Sequence, residues 1–168
     1  MAPARLPHRP RPPARRGGAK KGDAPTEAAA REGLGRSRGG LTTELHAATD
    51  ALGNPLRWLL TPGQRHDITQ AEALIDGVAT DAVVADRGHD ADWLVALVEA
   101  AGAEAVIPPK SDRKAQRAYD ANLYADRNKV ERLFGRLKHY RRVTTRYEKL
   151  GRNYLATVYV ASIMTLLR

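Results

Sequence analysis

A stripe of polar side chains between residues 122 and 140 has the composition to form ion pairs or to hold a cation at the edge of a core. On a helical wheel advancing about 100° per residue, with Arg127 at zero, Lys138 falls near about 20°, Glu131 near about 40° and Tyr124 near about 60°. Val130, Leu133, Phe134 and Leu137 follow at i, i+3, i+4 and i+7, which gives the same helix one apolar face. The polar stripe borders that face, so its side chains emerge at the edge of a core. Glu131 has two readings here: an i,i+4 ion pair with Arg127, or a ligand for a cation. The second gains from Asp86, which ends the wholly apolar run Ala82–Ala85. The carboxyl ends of such strands are where open α/β sheets bind ligands. A strand-end Asp and a helix-borne Glu could share a divalent ion, and an oxygen-only donor set favours Mg²⁺ or Mn²⁺ over zinc.

The elements that must position these groups follow from pattern. Leu41–Thr49 and Leu56–Thr61 read as strands of a hairpin that turns at Asp50–Pro55. Thr69–Val78 has helical spacing, and Ala82–Ala85 is a short strand. The rhythm repeats: Ala91–Ala101 as helix, Gly102 as its stop, and Glu104–Ile107 as strand before Pro108-Pro109. Strands alternating with helices predict an α/β sheet. Residues 110–123 read as a polar, basic loop, and 125–140 and 153–167 as two further helices.

The chain has 168 residues, so the length predicts one domain plus a tail. It contains no cysteine, which excludes a disulfide framework, a thiolate nucleophile and a Cys-ligated zinc. The net charge of +9 favours a polyanionic partner, with nucleic acid first. The charge is uneven: residues 1–40 carry 10 basic and 3 acidic side chains, residues 41–109 carry 3 and 11, and residues 110–168 carry 15 and 5. An acidic centre between basic flanks suits a metal site facing phosphate, although a solvated acidic surface would have the same count. Residues 1–40 hold Met1, Leu6 and Leu34 as their large apolar residues and are expected to be disordered. The apolar run Leu155–Leu167 is shorter than the roughly 18–20 residues of a bilayer span, so no membrane partner is expected and the cytoplasm is the expected location. His46, His66, His89 and His139 are not spaced as a zinc set and are read as surface or packing residues, and Asp67 and Asp90 as capping or bracing residues.

The spacing Tyr124-x2-Arg127-x3-Glu131-x6-Lys138 resembles the Y-R-E-K signature of DDE transposases from bacterial insertion sequences. The stretches GRSRGGLTTELHAATDALGNPLRWLLTPGQRHD, VVADRGHDADWL, AVIPPKSDRKAQRAYD and RVTTRYEKL resemble that family's consecutive blocks, in order, from about Lys20 to Arg168. The resemblance implies an α/β, partial ribonuclease H-like mixed sheet flanked by helices. It also implies two Asp and one Glu holding divalent metal, Mg²⁺ or Mn²⁺, for cleavage and transfer of DNA strands. Asp86 would be the second carboxylate and Glu131 the third, while Tyr124, Arg127 and Lys138 would contact the DNA backbone. The implied partners are transposon-end and target DNA, and a second copy in a homodimer when the protein is complete.

The family's first Asp belongs on a strand upstream of the LGRSRGGLTT block. Residues 1–31 show no strand-like run, and before Glu27 their acid is Asp23, so that strand and its carboxylate are expected to be missing. Asp50 is a substitute by position but lies in a turn, where Asp forms local hydrogen bonds. Residues 41–168 are then an incomplete catalytic domain, either a degenerate fragment or the second half of a protein completed by an upstream-frame product. His89 stands where the family often has Tyr, and Glu148 where it often has Asp. The expected function is that of an insertion-sequence transposase inactive as this fragment. The alternative is a non-catalytic basic nucleic-acid-binding remnant. A ribosome-associated basic protein would leave the Y-R-E-K stripe unexplained.

Overall fold

The computed structural model describes residues 4–6, 29, 31–37, 40–63 and 66–167. Its strands are β1 (Ala4–Leu6), β2 (Gly35–Ser37), β3 (Gly40–Thr49), β4 (Pro55–Pro62), β5 (Ala82–Val84) and β6 (Glu104–Val106). Its helices are α1 (Ala71–Ile75), α2 (Asp92–Ala100), α3 (Ala121–Tyr124), α4 (Asn128–Leu137), α5 (Arg141–Thr144) and α6 (Gly151–Leu166). The chain divides into two compact units. The first contains His46–Leu59 and His66–Gly135, and the second contains Ala4–Leu45, Leu60–Arg65 and Arg136–Arg168.

The predicted alternation of strand and helix is present, but the strands form two small sheets where one mixed sheet was expected. β3 pairs with β1, β2 and β4, while β5 and β6 form a separate parallel pair. Most of the segment expected to be disordered lies outside the described residues. Within it, however, β1 is extended and antiparallel to β3, with Ala4 opposite Leu45, and β2 follows with Gly35 opposite Thr42. A three-residue strand pairs through its backbone and is too short to show a period of two. Flanking Pro3 and Pro7 also mask it, since proline normally argues against a strand and suits the margins of one.

In the first unit, β5, α2 and β6 make a βαβ step. Leu94, Val95 and Val98 of α2 are buried with Ala48, Ala71, Leu74, Ala85, Ala103 and Ile107. The i, i+1, i+4 spacing of the α2 residues puts them on one side of the helix. α2 stops where predicted: Gly102 adopts φ +81°, its N–H donates to Glu99 O at 2.9 Å, and the Ala103 N–H donates to Val98 O at 3.2 Å. That pairing satisfies carbonyls the helix end would otherwise strand. The hairpin turn in this unit is closed by Asp50, whose Oδ1 accepts from the Leu52 and Asn54 N–H groups at 2.9 and 2.8 Å. Gly53, at φ +86°, completes the turn, and an added Cβ there would lie 3.1 Å from Lys129 Cβ. The Lys129 ammonium in turn donates to Ala51 O at 2.7 Å.

In the second unit, Val143, Tyr154, Val158 and Ala161 are buried, and the Tyr154 hydroxyl donates to Val143 O at 2.7 Å, joining α5 to α6. Arg146, only 3% exposed, donates to Thr43 Oγ1 at 2.7 Å and to the carbonyls of Glu148 and Lys149 at 3.0 and 3.1 Å. Its guanidinium lies 5.4 Å from the centre of the Tyr154 ring. No helix among the described residues is long and apolar enough to cross a membrane.

Candidate functional site

Asp86 leaves the sheet just after β5 and opens a tight 3₁₀ turn, Arg87–His89. Its Oδ1 accepts the Gly88 N–H at 3.0 Å, and His89 Nδ1 lies 2.7 Å from the same oxygen. Burial pushes the Asp86 carboxyl up, but the His89 hydrogen bond and charge and the Gly88 N–H outweigh it and hold the group below the usual aspartate value. An alanine at 88 would bring a Cβ to 3.0 Å from Asp86 Oδ1, so the glycine leaves room for the carboxylate.

A cavity of about 340 Å³ opens beside this turn, lined by Asp86, Arg87, Gly88, Pro108, Tyr119, Tyr124 and Arg127. Tyr119 and Tyr124 meet edge to face with centroids 5.6 Å apart, and the Arg127 guanidinium lies 5.8 Å from the Tyr124 ring centre. Arg127 Nη2 also pairs with Glu131 Oε1 at 2.7 Å. Asp86, Tyr124 and Arg127 therefore share one cavity, and Glu131 is tied to it through Arg127 without being part of its lining. Glu131 is half exposed, at 53%.

The helix expected over residues 122–140 is not continuous. Between α3 and α4 the chain makes a 3₁₀ turn at Ala125–Arg127, where residues three apart eclipse. That geometry puts Arg127 over Tyr124. The helix ends at Leu137, so Lys138 stands exposed in the following turn and belongs to the second unit.

The sequence does not reveal several of the contacts around this turn. His89 is buried and bonded to Asp86, not merely packed, and the signal was the i,i+3 spacing across a Gly-containing turn. Asp90 braces, as expected, but its partners come from the segment read as a plain loop. Its buried carboxylate accepts from the Lys110 N–H at 2.7 Å, from Arg113 Nε at 2.9 Å and from Arg117 Nη2, and both guanidiniums also reach Asp92. Burial pushes Asp90 up, and Lys110, Arg113 and Arg117 together hold it below its ordinary value. His46 is 2% exposed and 3.7 Å from Asp67 Oδ1. Burial, aided by the nearby His89, lowers its pKa to about 4. His66 and His139 are exposed, as read from sequence.

A family model for the transposase DDE domain matches residues 12–166. The chain belongs to the DDE transposase family. A relative from Brucella ovis, named as a transposase for insertion sequence element IS6501, is 38% identical over 130 residues, spanning 76% of this chain and 100% of the relative. Another from Burkholderia cepacia, named for insertion sequence element IS402, is 32% identical over 116 residues, 62% of this chain and 53% of the relative. No solved structure matches the chain. The DDE domain implies use of a divalent metal, and the residues at the cavity fit such an ion in chemistry. The donors are carboxylate oxygens. Among the described residues, both hydrogen bonds to Asp86 fall on Oδ1, and the Arg127 pairing of Glu131 is through Oε1, so each carboxylate keeps its second oxygen.

Proposed function

We propose that residues 41–168 are a ribonuclease H-like DDE catalytic domain acting on DNA phosphodiesters, with Asp86 and Glu131 as two carboxylate ligands of Mg²⁺ or Mn²⁺. The observation that supports this best is the cavity that Asp86 shares with Tyr124 and Arg127, the latter holding Glu131. When bound, divalent ions would activate the attacking oxygen and stabilise the leaving one in an in-line displacement. The remaining work falls to side chains. Asp86, kept ionised by its hydrogen bonds, presents a hard oxygen donor at the cavity wall. Arg127 would neutralise a phosphate oxygen, and its stacking on Tyr124 limits where the guanidinium can point. Tyr124 would hydrogen-bond the backbone, and Lys138 would add a positioning contact to phosphate. The partners are transposon-end and target DNA.

Two of the family's three carboxylates are assigned in this reading, because Asp50, the substitute for the first, spends both oxygens on its own turn. Purified protein is expected to bind DNA with an affinity that falls steeply with salt. It is expected to cleave transposon-end DNA little or not at all by itself with Mg²⁺ or Mn²⁺. A second reading, a basic nucleic-acid binder without turnover, is favoured by the close Arg127–Glu131 ion pair, which engages the acid that catalysis needs. Adding Mn²⁺ to the protein–DNA complex separates the two. Metal-dependent strengthening of binding that Asp86→Asn and Glu131→Gln both remove supports the catalytic-domain reading, and binding indifferent to metal and to both substitutions overturns it.

A further inference from the structure

The geometry points to His89 as a positioning residue that selects which oxygen of Asp86 meets a cation: its Nδ1–H and the Gly88 N–H both claim Oδ1, leaving Oδ2 as a single donor. This rests on the assignment of Asp86 as a metal ligand and goes beyond it to a residue that touches neither metal nor DNA.

A carboxylate on a flexible turn can rotate, bind bidentately or fold back on the backbone. Here the rotation is stopped from two directions. The Gly88 N–H lies 3.0 Å from Oδ1 and is fixed by the 3₁₀ turn, whose His89 N–H donates to Asp86 O at 3.0 Å. The imidazole, 2.7 Å from the same oxygen, is itself immobile, being 2% exposed against 32% for the Asp86 side chain. A buried ring therefore holds a partly exposed carboxylate. Ligating carboxylates are commonly oriented by such outer partners, and removing one typically weakens metal affinity about 10- to 100-fold.

The ring's attitude is constrained in turn. Asp90, the next residue along, is held by the Lys110 N–H, Arg113 and Arg117, which fixes the backbone on the C-terminal side of His89. With Asp86 capping the turn on one side and Asp90 anchored on the other, the imidazole Nδ1 is aimed at Asp86 Oδ1, 2.7 Å away. Only a donor at the Nδ1 position does this work. An asparagine amide places its nitrogen close to where Nδ1 stands, whereas a glutamine amide places its nitrogen nearer to Nε2.

The test is Mn²⁺ binding by the whole chain, followed by electron paramagnetic resonance, for wild type, Asp86→Asn, His89→Asn and His89→Gln. His89→Asn is expected to stay within about threefold of wild type and His89→Gln to bind at least about tenfold more weakly. Equal affinities for the two position-89 variants, with Asp86→Asn still defective, overturn the role of His89 alone. Wild-type binding that Asp86→Asn leaves unchanged overturns the metal assignment and this inference with it. A measurement on unaltered protein covers the case of a variant that fails to fold. Nitrogen-15 spectra of the imidazoles must show His89 Nδ1 protonated, and an Nε2–H tautomer with bare Nδ1 overturns the proposal, since it has no proton to give to Asp86.

Discussion

Asp90 and Arg146 are both charged and both buried, one in each unit, and their charges are balanced by different means. Asp90 faces two guanidiniums that are themselves 23% and 27% exposed, so its neutralisation reaches out to solvent. Arg146 donates to two carbonyls and a hydroxyl and lies over an aromatic face, all neutral, and burial pulls its pKa down against the opposing effects of Tyr154 and of the nearby Glu32 and Glu148 carboxylates. The first arrangement joins a basic segment to the wall of the cavity and can exchange partners with a polyanion. The second is a closed bolt that fastens β3 to the loop after α5. Arg113 and Arg117 keep about a quarter of their surface in water, and Arg146 keeps almost none.

The sharpest break in that contrast should come from Arg146→Ala. It strands the Glu148 and Lys149 carbonyls and leaves the Thr43 hydroxyl only its own donation to Gly33 O at 2.8 Å, and is expected to cost about 3–4 kcal/mol, seen as a thermal midpoint lower by about 10 °C. Arg146→Lys keeps the charge without the fork and should recover less than half of the loss. Acidification should act on the first unit next. Its buried His46 has a pKa lowered from 6.5 to about 4, so the unfolded chain binds the proton first as pH falls. Stability contributed above pH 6.5 is lost on the way down to about pH 4, by up to about 3 kcal/mol, and His46→Gln should flatten that slope in denaturant titrations. Asp86 and Asp90, both held below 3.8, add their loss below that window.

Asp90→Asn follows, at about 1–2 kcal/mol, because Arg113 and Arg117 can turn to water and Asn still accepts from Lys110. Its stability should respond to salt mainly through the exposed pairs that Arg113 and Arg117 keep with Asp92, checked by denaturant titration at low and high salt. Smallest in stability is Arg127→Ala, which breaks an exposed i,i+4 pair and should change unfolding by less than about 1 kcal/mol. The same substitution should weaken DNA binding and make its salt dependence shallower by about one counterion. An Arg127→Ala that unfolds the protein, or that binds DNA as wild type does, would place this arginine with the bolt and not with the site.

Much of this was legible in the chain. The βαβ step announced itself through AVVA, the apolar spacing of α2 and Gly102, because each signal is local and strong. Asp86 and the Arg127–Glu131 pair were readable from a strand end and an i,i+4 spacing. What escaped was set by contacts distant in sequence or by departures from regular helix. Arg113 and Arg117 reach back 23 and 27 residues to Asp90, and nothing in a polar loop marks which cation does so. The helix ends one residue before Lys138, and uniform 100° stepping cannot foresee a 3₁₀ interruption at Ala125–Arg127. β1 has no pattern to read, being shorter than the period that would reveal it.

Gly53 has a reach beyond its own turn. Its missing side chain leaves the space that Lys129 fills, and Lys129 sits on the helix turn between Arg127 and Glu131. A methyl group at 53 would meet both a left-handed backbone and the Lys129 stem, so the hairpin could relax only by pushing the start of α4 outward. The distance at which Glu131 is presented is thus gauged by a hydrogen atom three residues past Asp50, on a stretch that carries no chemistry of its own.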